Sequence, residues 1–269
     1  LHPTRLLVTT LAIWLPLNAQ VNWRSPESLQ SSYRNISSAS GQALVVTANP
    51  LASDAAIRTL KKGGTAMDAI VTAQAVLTVV EPQSSGLGGG GFLLYWDQKK
   101  NHLHALDGRE TASVHATQET WLDSNGTPIS WKDASKSLSS IGVPGTTALL
   151  WEGHKRFGRL SWEKNFTESI RIASDGFFPS PRFINSISLA KQIGVSHSPT
   201  FKSLYLPSGL PPSPLVPFQN KDLAATLTRI AKGGAEEFYR GETAKQLIND
   251  LAQQQNKRKS IQTITSEDL

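Results

Sequence analysis

The chain has 269 residues, 39% of them apolar, enough for a buried core in one large domain or two small ones. Lys and Arg outnumber Asp and Glu by 27 to 21, but the excess is scattered and aromatics supply only 7% of residues, so no basic face with stacking platforms emerges and no nucleic acid partner is expected. There is no cysteine, which rules out disulfides, thiolate nucleophiles and cysteine-based zinc sites; covalent chemistry here must use oxygen or nitrogen.

Arg5 supplies a short positive region, residues 6–17 are almost wholly apolar, and Leu17-Asn18-Ala19 offers a small residue for cleavage, so residues 1–19 are expected to be a signal peptide. The apolar run is about half the roughly 20 residues a spanning helix needs and contains Pro16, so no permanent membrane span is expected. Leu1 in place of Met fits an unusual start codon or a clipped sequence. An exported protein without cysteine fits a bacterial envelope, periplasmic or secreted.

Residues 20–42, rich in Ser, Asn and Gln, read as a polar lead-in, and Ala43 to Ala48 as a buried strand. After Pro50 the spacing of Leu51, Ala55, Ile57 and Leu60 predicts a helix closed by Lys61, Lys62, Gly63 and Gly64. A second helix, from about Thr65 to Val80, is apolar on nearly all sides, which implies burial between layers, and Pro82 stops it. Phe92 to Trp96 and His102 to Leu106 read as a hairpin about the polar turn Asp97 to Asn101. From Gly142 onward the pattern is helical: Thr146 to Phe157, a helix capped by Ser161 and reaching Asp175, and one opened by Ser180-Pro181. A proline-rich irregular excursion follows at 207–217, then helices near Asp222 to Lys232 and Glu242 to Gln254. Ser266 with Glu267-Asp268-Leu269 resembles an N-cap and an acidic first turn.

Gly86-Leu87-Gly88-Gly89-Gly90-Gly91 satisfies the dinucleotide-binding pattern of glycines, but with a helix before it and a strand after, the reverse of the order that pattern needs. No Lys-Ser or Lys-Thr follows, so a Walker loop fails too. Either the glycines make a tight turn, or, with Ser84-Ser85 before them, they permit positive φ and close approach at a site. Arg109, in Asp107-Gly108-Arg109-Glu110, can present a planar fork to a carboxylate or can pair with Asp107 or Glu110. His102 and His104 share a strand face, but no further cluster has ligand spacing; two solvent-facing residues and no metal are expected. Asn35-Ile36-Ser37 and Asn165-Phe166-Thr167 fit the glycosylation pattern, which is common by chance. Lys257-Arg258-Lys259 reads as a solvated loop. No G-x-S-x-G elbow announces a nucleophile.

Four stretches, in the right order, resemble the gamma-glutamyltranspeptidases: Asn49 to Ser53 with Lys62 to Ala69, Glu81 to Phe92, Leu106 to Ala112, and Val143-Pro144-Gly145. Weaker echoes continue at Phe157 to Leu160, Phe178 to Arg182, Phe238 to Gly241 and Thr265 to Leu269. The resemblance implies an α+β fold, the four-layer αββα sandwich of N-terminal-nucleophile hydrolases, incomplete in this chain. Residues 20–269 correspond to part of a large subunit cut from a precursor, and the nucleophile, a Thr opening the small subunit, lies outside them. It implies attack on the γ-glutamyl amide of glutathione or another γ-glutamyl compound, with water or an amino acid releasing the acyl group and with no cofactor. By position Arg109 matches the arginine that grips the donor's α-carboxylate, and Ser85, Gly86, Gly88, Gly89, Gly90 and Gly91 match a loop that shapes the core beside the site. No catalytic residue is then expected in this chain, which alone would be inactive. Two alternatives stand beside this reading: a truncated remnant or binding protein that keeps Arg109 without chemistry, and an acylase of the same fold for another donor.

Overall fold

The structure, a computed structural model, describes residues 41–192, 198–258 and 263–269. The expected signal peptide and the Asn35 glycosylation pattern lie outside the described residues. The architecture is α+β. Helices α1 (Pro50–Lys61) and α2 (Ala66–Val80) lead into an antiparallel hairpin of β1 (Gly91–Asp97) and β2 (His102–Gly108). After an irregular stretch containing the one-turn α3 (Trp131–Ala134) come α4 (Thr146–Phe157), α5 (Thr167–Asp175) and α6 (Pro181–Gln192). The remaining helices are α7 (Pro199–Tyr205), α8 (Lys221–Tyr239) and α9 (Glu242–Arg258). Among the described residues no helix is long and apolar enough to cross a membrane.

Local chemistry fixes the first helices. Asn49 Oδ1 accepts from Leu51 N (3.0 Å) with Pro50 in the first turn, where its missing N–H costs nothing. In α2, Thr65 and Asp68 form a reciprocal capping box. α2 is buried on most sides because it packs against α1, α4 and α5 together, as its apolar circumference requires. Met67, Phe166, Phe183, Leu227 and Ile230 are the large side chains of the resulting core.

The hairpin register pairs Gly91 with Gly108 and Asp97 with His102. Its inner face sets Leu93, Tyr95 and Leu106 against the core. Its outer face carries Phe92, Leu94, Trp96 and Leu103, each 50% to 67% exposed. Such a contiguous apolar face is unusual on the surface of a monomeric protein. His102 and His104 are on the inner side, not a solvent face: their rings lie 4.6 Å apart, His104 leans on Phe157, and only His102 is exposed. Among the described residues no group of three or more His, Cys, Asp or Glu could hold a metal.

Several expectations are corrected. Residues 43–47 form no strand, since none of the described chain pairs with them; Leu44 and Val46 are exposed, and Val45 packs against the alanine seam of α1 and α2. The helix expected from Ser161 begins as a 3-10 turn, Trp162–Phe166, and Ser161 makes no side-chain cap bond. α7 has no counterpart in the sequence reading, although Ser198 caps it. Lys257 and Arg258 fall within α9 and not in a loop. α8 runs past Lys232 and is kinked at Gly234, which has φ 65° and ψ −154°. That region is open to glycine alone, and a Cβ there would lie 2.8 Å from the Trp151 ring. Gly234→Ala is therefore expected to lower the unfolding free energy by about 2–4 kcal/mol through strain and overpacking. An unchanged midpoint in thermal unfolding would show that the kink relaxes without cost.

Candidate functional site

The loop from Glu81 to Gly91 starts at the end of α2. Glu81, 1% exposed, accepts from Asn49 Nδ2 (2.9 Å) and from Gln83 Nε2, and Arg182 Nε lies 3.6 Å from its second oxygen. Arg182 also donates to Ser84 Oγ (3.4 Å), and Ser85 N donates to the Glu81 carbonyl (3.0 Å). A buried carboxylate needs such partners, and here they fasten the entry of the loop to both α1 and α6.

The glycines act by closeness and not by unusual φ. None from Gly86 to Gly91 has positive φ. A Cβ on Gly86 or Gly88 would meet nothing closer than 4.0 Å, whereas on Gly90 it would fall 2.6 Å from Glu110 N and 2.7 Å from the Gly108 carbonyl. The Gly89 carbonyl accepts from both Gly145 N (2.8 Å) and Thr146 N (2.9 Å), at the start of α4. The loop thus packs backbone to backbone on the exit of β2 and on Val143-Pro144-Gly145. Tyr239 completes the joint, donating to the Pro144 carbonyl (2.7 Å) and accepting from Ala148 N (3.2 Å). Burial pushes its phenol pKa up against the smaller opposing effect of the Ala148 amide.

Arg109 follows β2 directly. Its backbone N–H donates to Asp107 Oδ1 (2.9 Å), which turns the chain, but its exposed guanidinium has no carboxylate within salt-bridge distance among the described residues. The local pairing with Asp107 or Glu110 is therefore not made as an ion pair. Arg109 lines a cleft of about 380 Å³ with Trp121, Ile141 and Thr263, and a second of about 530 Å³ toward Glu152 and Arg156. Ser85, Gly86, Gly88, Gly89, Gly90 and Gly91 line a different, larger cleft of about 910 Å³ over α2. Glu110 borders both the larger cleft and the 380 Å³ one. The two sets of expected site residues are adjacent, with Glu110 between them, and do not share one cavity. The sequence offers Glu110 only as a partner for Arg109; its position facing Gly89 and Gly90 across the hairpin exit is visible only in three dimensions.

A second polar centre lies away from these clefts. Asp68, 0% exposed, receives Thr65 N (2.7 Å), Arg159 N (2.9 Å), Leu160 N (3.2 Å) and Asn165 Nδ2 (3.2 Å), with His154 Nε2 at 3.2 Å. The Thr65 hydroxyl faces both Asp68 (2.9 Å) and the Phe157 carbonyl (2.7 Å). Burial pushes the Asp68 carboxyl up, but the bonds from Thr65, Arg159 and Asn165 outweigh it and hold the group below the ordinary aspartate value. Asn165 is spent on this node and 0% exposed, so its glycosylation pattern is not accessible in the folded chain.

Stretches far apart in the sequence are thus joined pairwise in space, and the Arg109 guanidinium at its cleft has no carboxylate partner among the described residues. Residues 52–269 match the family described as Gamma-glutamyltranspeptidase. The chain belongs to that family. It is 35% identical over 246 residues to a protein of Bacillus subtilis (strain 168) named glutathione hydrolase proenzyme, covering 91% of this chain and 41% of the relative. It is also similar to the solved structure of Helicobacter pylori gamma-glutamyltranspeptidase, with TM-score 0.78 and 31% identity over 87% of this chain and 64% of that one. For the Pseudomonas nitroreducens gamma-glutamyltranspeptidase complexed with L-DON the values are 0.74 and 32%, over 84% and 63%. The chain spans about two fifths of the length of the Bacillus relative, 41%.

Proposed function

We propose that residues 20–269 are large-subunit sequence of an exported gamma-glutamyl amide hydrolase and transferase, with residues 1–19 as its signal peptide. The donor is glutathione or another γ-glutamyl compound, a choice supported by the relatives' name of glutathione hydrolase. The acyl-enzyme forms on a Thr that opens the remaining, small-subunit part of the precursor, its freed amine acting as base. In this reading the apolar outer face of the hairpin and the 910 Å³ cleft beside β1 receive the small subunit's strands, which completes the αββα sandwich. Arg109 grips the donor's α-carboxylate, and the loop from Ser85 to Gly91 holds the backbone around it.

The observation that carries the reading is the Arg109 guanidinium at the exit of β2, which has no carboxylate partner among the described residues. A planar fork is the group that binds a carboxylate bidentately, and it is not spent on a neighbour here. Arg109→Ala in the processed enzyme is expected to raise KM for a γ-glutamyl donor by about tenfold to a hundredfold, the worth of a charge-assisted hydrogen-bond pair. Arg109→Lys recovers only part of this, because an ammonium is a point charge. An unchanged KM in Arg109→Ala removes the assignment.

A further inference from the structure

We infer that Asp268 is a positioning residue for donor binding, acting through the segment that carries Arg109; the inference rests on the role proposed for Arg109. Three observations carry it. First, Asp268 reaches from the end of the described chain to the stretch just beyond Arg109: Oδ1 accepts from Val114 N (2.7 Å) and Oδ2 from Ser113 Oγ (3.0 Å). Second, the carboxylate is itself fixed in place. Its Oδ2 also accepts from Thr265 N (2.7 Å) and lies 3.2 Å from Thr265 Oγ1, while Glu267 N donates to Thr265 Oγ1 (3.3 Å). The capping residue of this turn is Thr265, not Ser266 as the sequence suggested. Third, the two residues just before this turn, Thr263 and Ile264, supply a wall of the cleft that Arg109 lines.

The segment from Arg109 to Val114 is consequently held at three points. The β1–β2 ladder ends at Gly108, Val143 N donates to the Thr111 carbonyl (2.9 Å), and Asp268 takes Ser113 and Val114. Without the last point, the segment is tied at Gly108 and Thr111 only, and Ser113 and Val114 lose their anchor. Burial raises the Asp268 pKa, but the bonds from the Thr265 and Val114 amides and from the Ser113 and Thr265 hydroxyls lower it further, so the carboxylate is charged at neutral pH. His115 and Glu267, 3.5 Å apart, are the titratable groups beside it. A charged acceptor of four donors is a stiffer anchor than a neutral amide would be.

The test is a double-mutant cycle in the processed enzyme, with Val114 amide exchange as a readout that needs no activity. Asp268→Asn is expected to raise donor KM about threefold to tenfold with kcat changed less than about twofold, and to speed Val114 exchange about tenfold. In an Arg109→Ala background it should add nothing, since the residue it positions is gone. Should Asp268→Asn fail to assemble, Ser113→Ala, which removes one donor only, carries the same expectation at smaller size. Additive effects of Arg109→Ala and Asp268→Asn on KM, or slow Val114 exchange in Asp268→Asn, overturn the positioning role while leaving Arg109 standing. No KM change in Arg109→Ala overturns the functional reading itself, and the positioning role with it.

Discussion

Asp68→Ala is expected to cost at least about 4 kcal/mol of stability, because it leaves a ring of buried donors with no acceptor, each worth about 1–3 kcal/mol. The donors come from three separate places: the cap of α2, the Arg159-Leu160 backbone, and Asn165 in the turn before α5. Asp68→Asn should come close to the same loss, since its amide turns a donor toward donors. Trp162, beside this turn, donates to the Ile230 carbonyl of α8 (3.0 Å), so loosening the node propagates to the far side of the core. The check is the urea midpoint of each variant, and a loss below about 1 kcal/mol would mean that water replaces the carboxylate at little cost.

The same group makes acid sensitivity predictable in sign. Asp68 is held below the ordinary aspartate value in the folded chain, so the unfolded chain binds its proton more tightly. Its contribution is complete above the unfolded pKa, about 4, and is lost as pH falls through the depressed folded value. Wild-type stability should therefore decline from about pH 4 downward more steeply than that of Asp68→Asn, whose residue does not titrate.

These joints also explain what could be read from the sequence and what could not. Caps and periodicity are local, so Pro50–Lys61, Ala66–Val80 and Thr146–Phe157 are legible within a residue or so. A strand is not local: residues 43–47 have strand composition, yet in the described chain no neighbour pairs with them. Asn165 shows the same limit in a side chain, since an accessible glycosylation pattern and a ligand of a buried carboxylate have the same three letters. The stretches that resemble the family look like parts of a site, but most are halves of contacts. Glu81 meets Asn49 and Arg182, Asp68 meets Arg159 and Leu160, Gly89 meets Gly145, and Tyr239 meets Pro144. Two halves far apart in sequence can be noticed separately, and only the fold shows that they touch. Arg109 is the exception, because its side chain has no such partner within the described chain.

A polypeptide ending at Leu269, made by itself, is expected to show no glutathione hydrolysis and to self-associate. Binding groups without a nucleophile lose on the order of a millionfold in kcat, judged by hydrolases stripped of theirs, which leaves no turnover above background in an ordinary assay. Self-association follows from surface physics: Phe92, Leu94, Trp96 and Leu103 present an apolar sheet face, and among the described residues β1 and β2 each pair on one side only. On the function proposed above, supplying the small-subunit part should reverse both defects together, since that proposal assigns to it both the covering strands and the nucleophile. Light scattering and glutathione turnover on the same samples separate the outcomes. Activity in the isolated chain would place a nucleophile within it and overturn the division of labour proposed here. A monodisperse but inactive chain would instead mean that the hairpin face is closed by its own residues, leaving the second part to supply chemistry without strands.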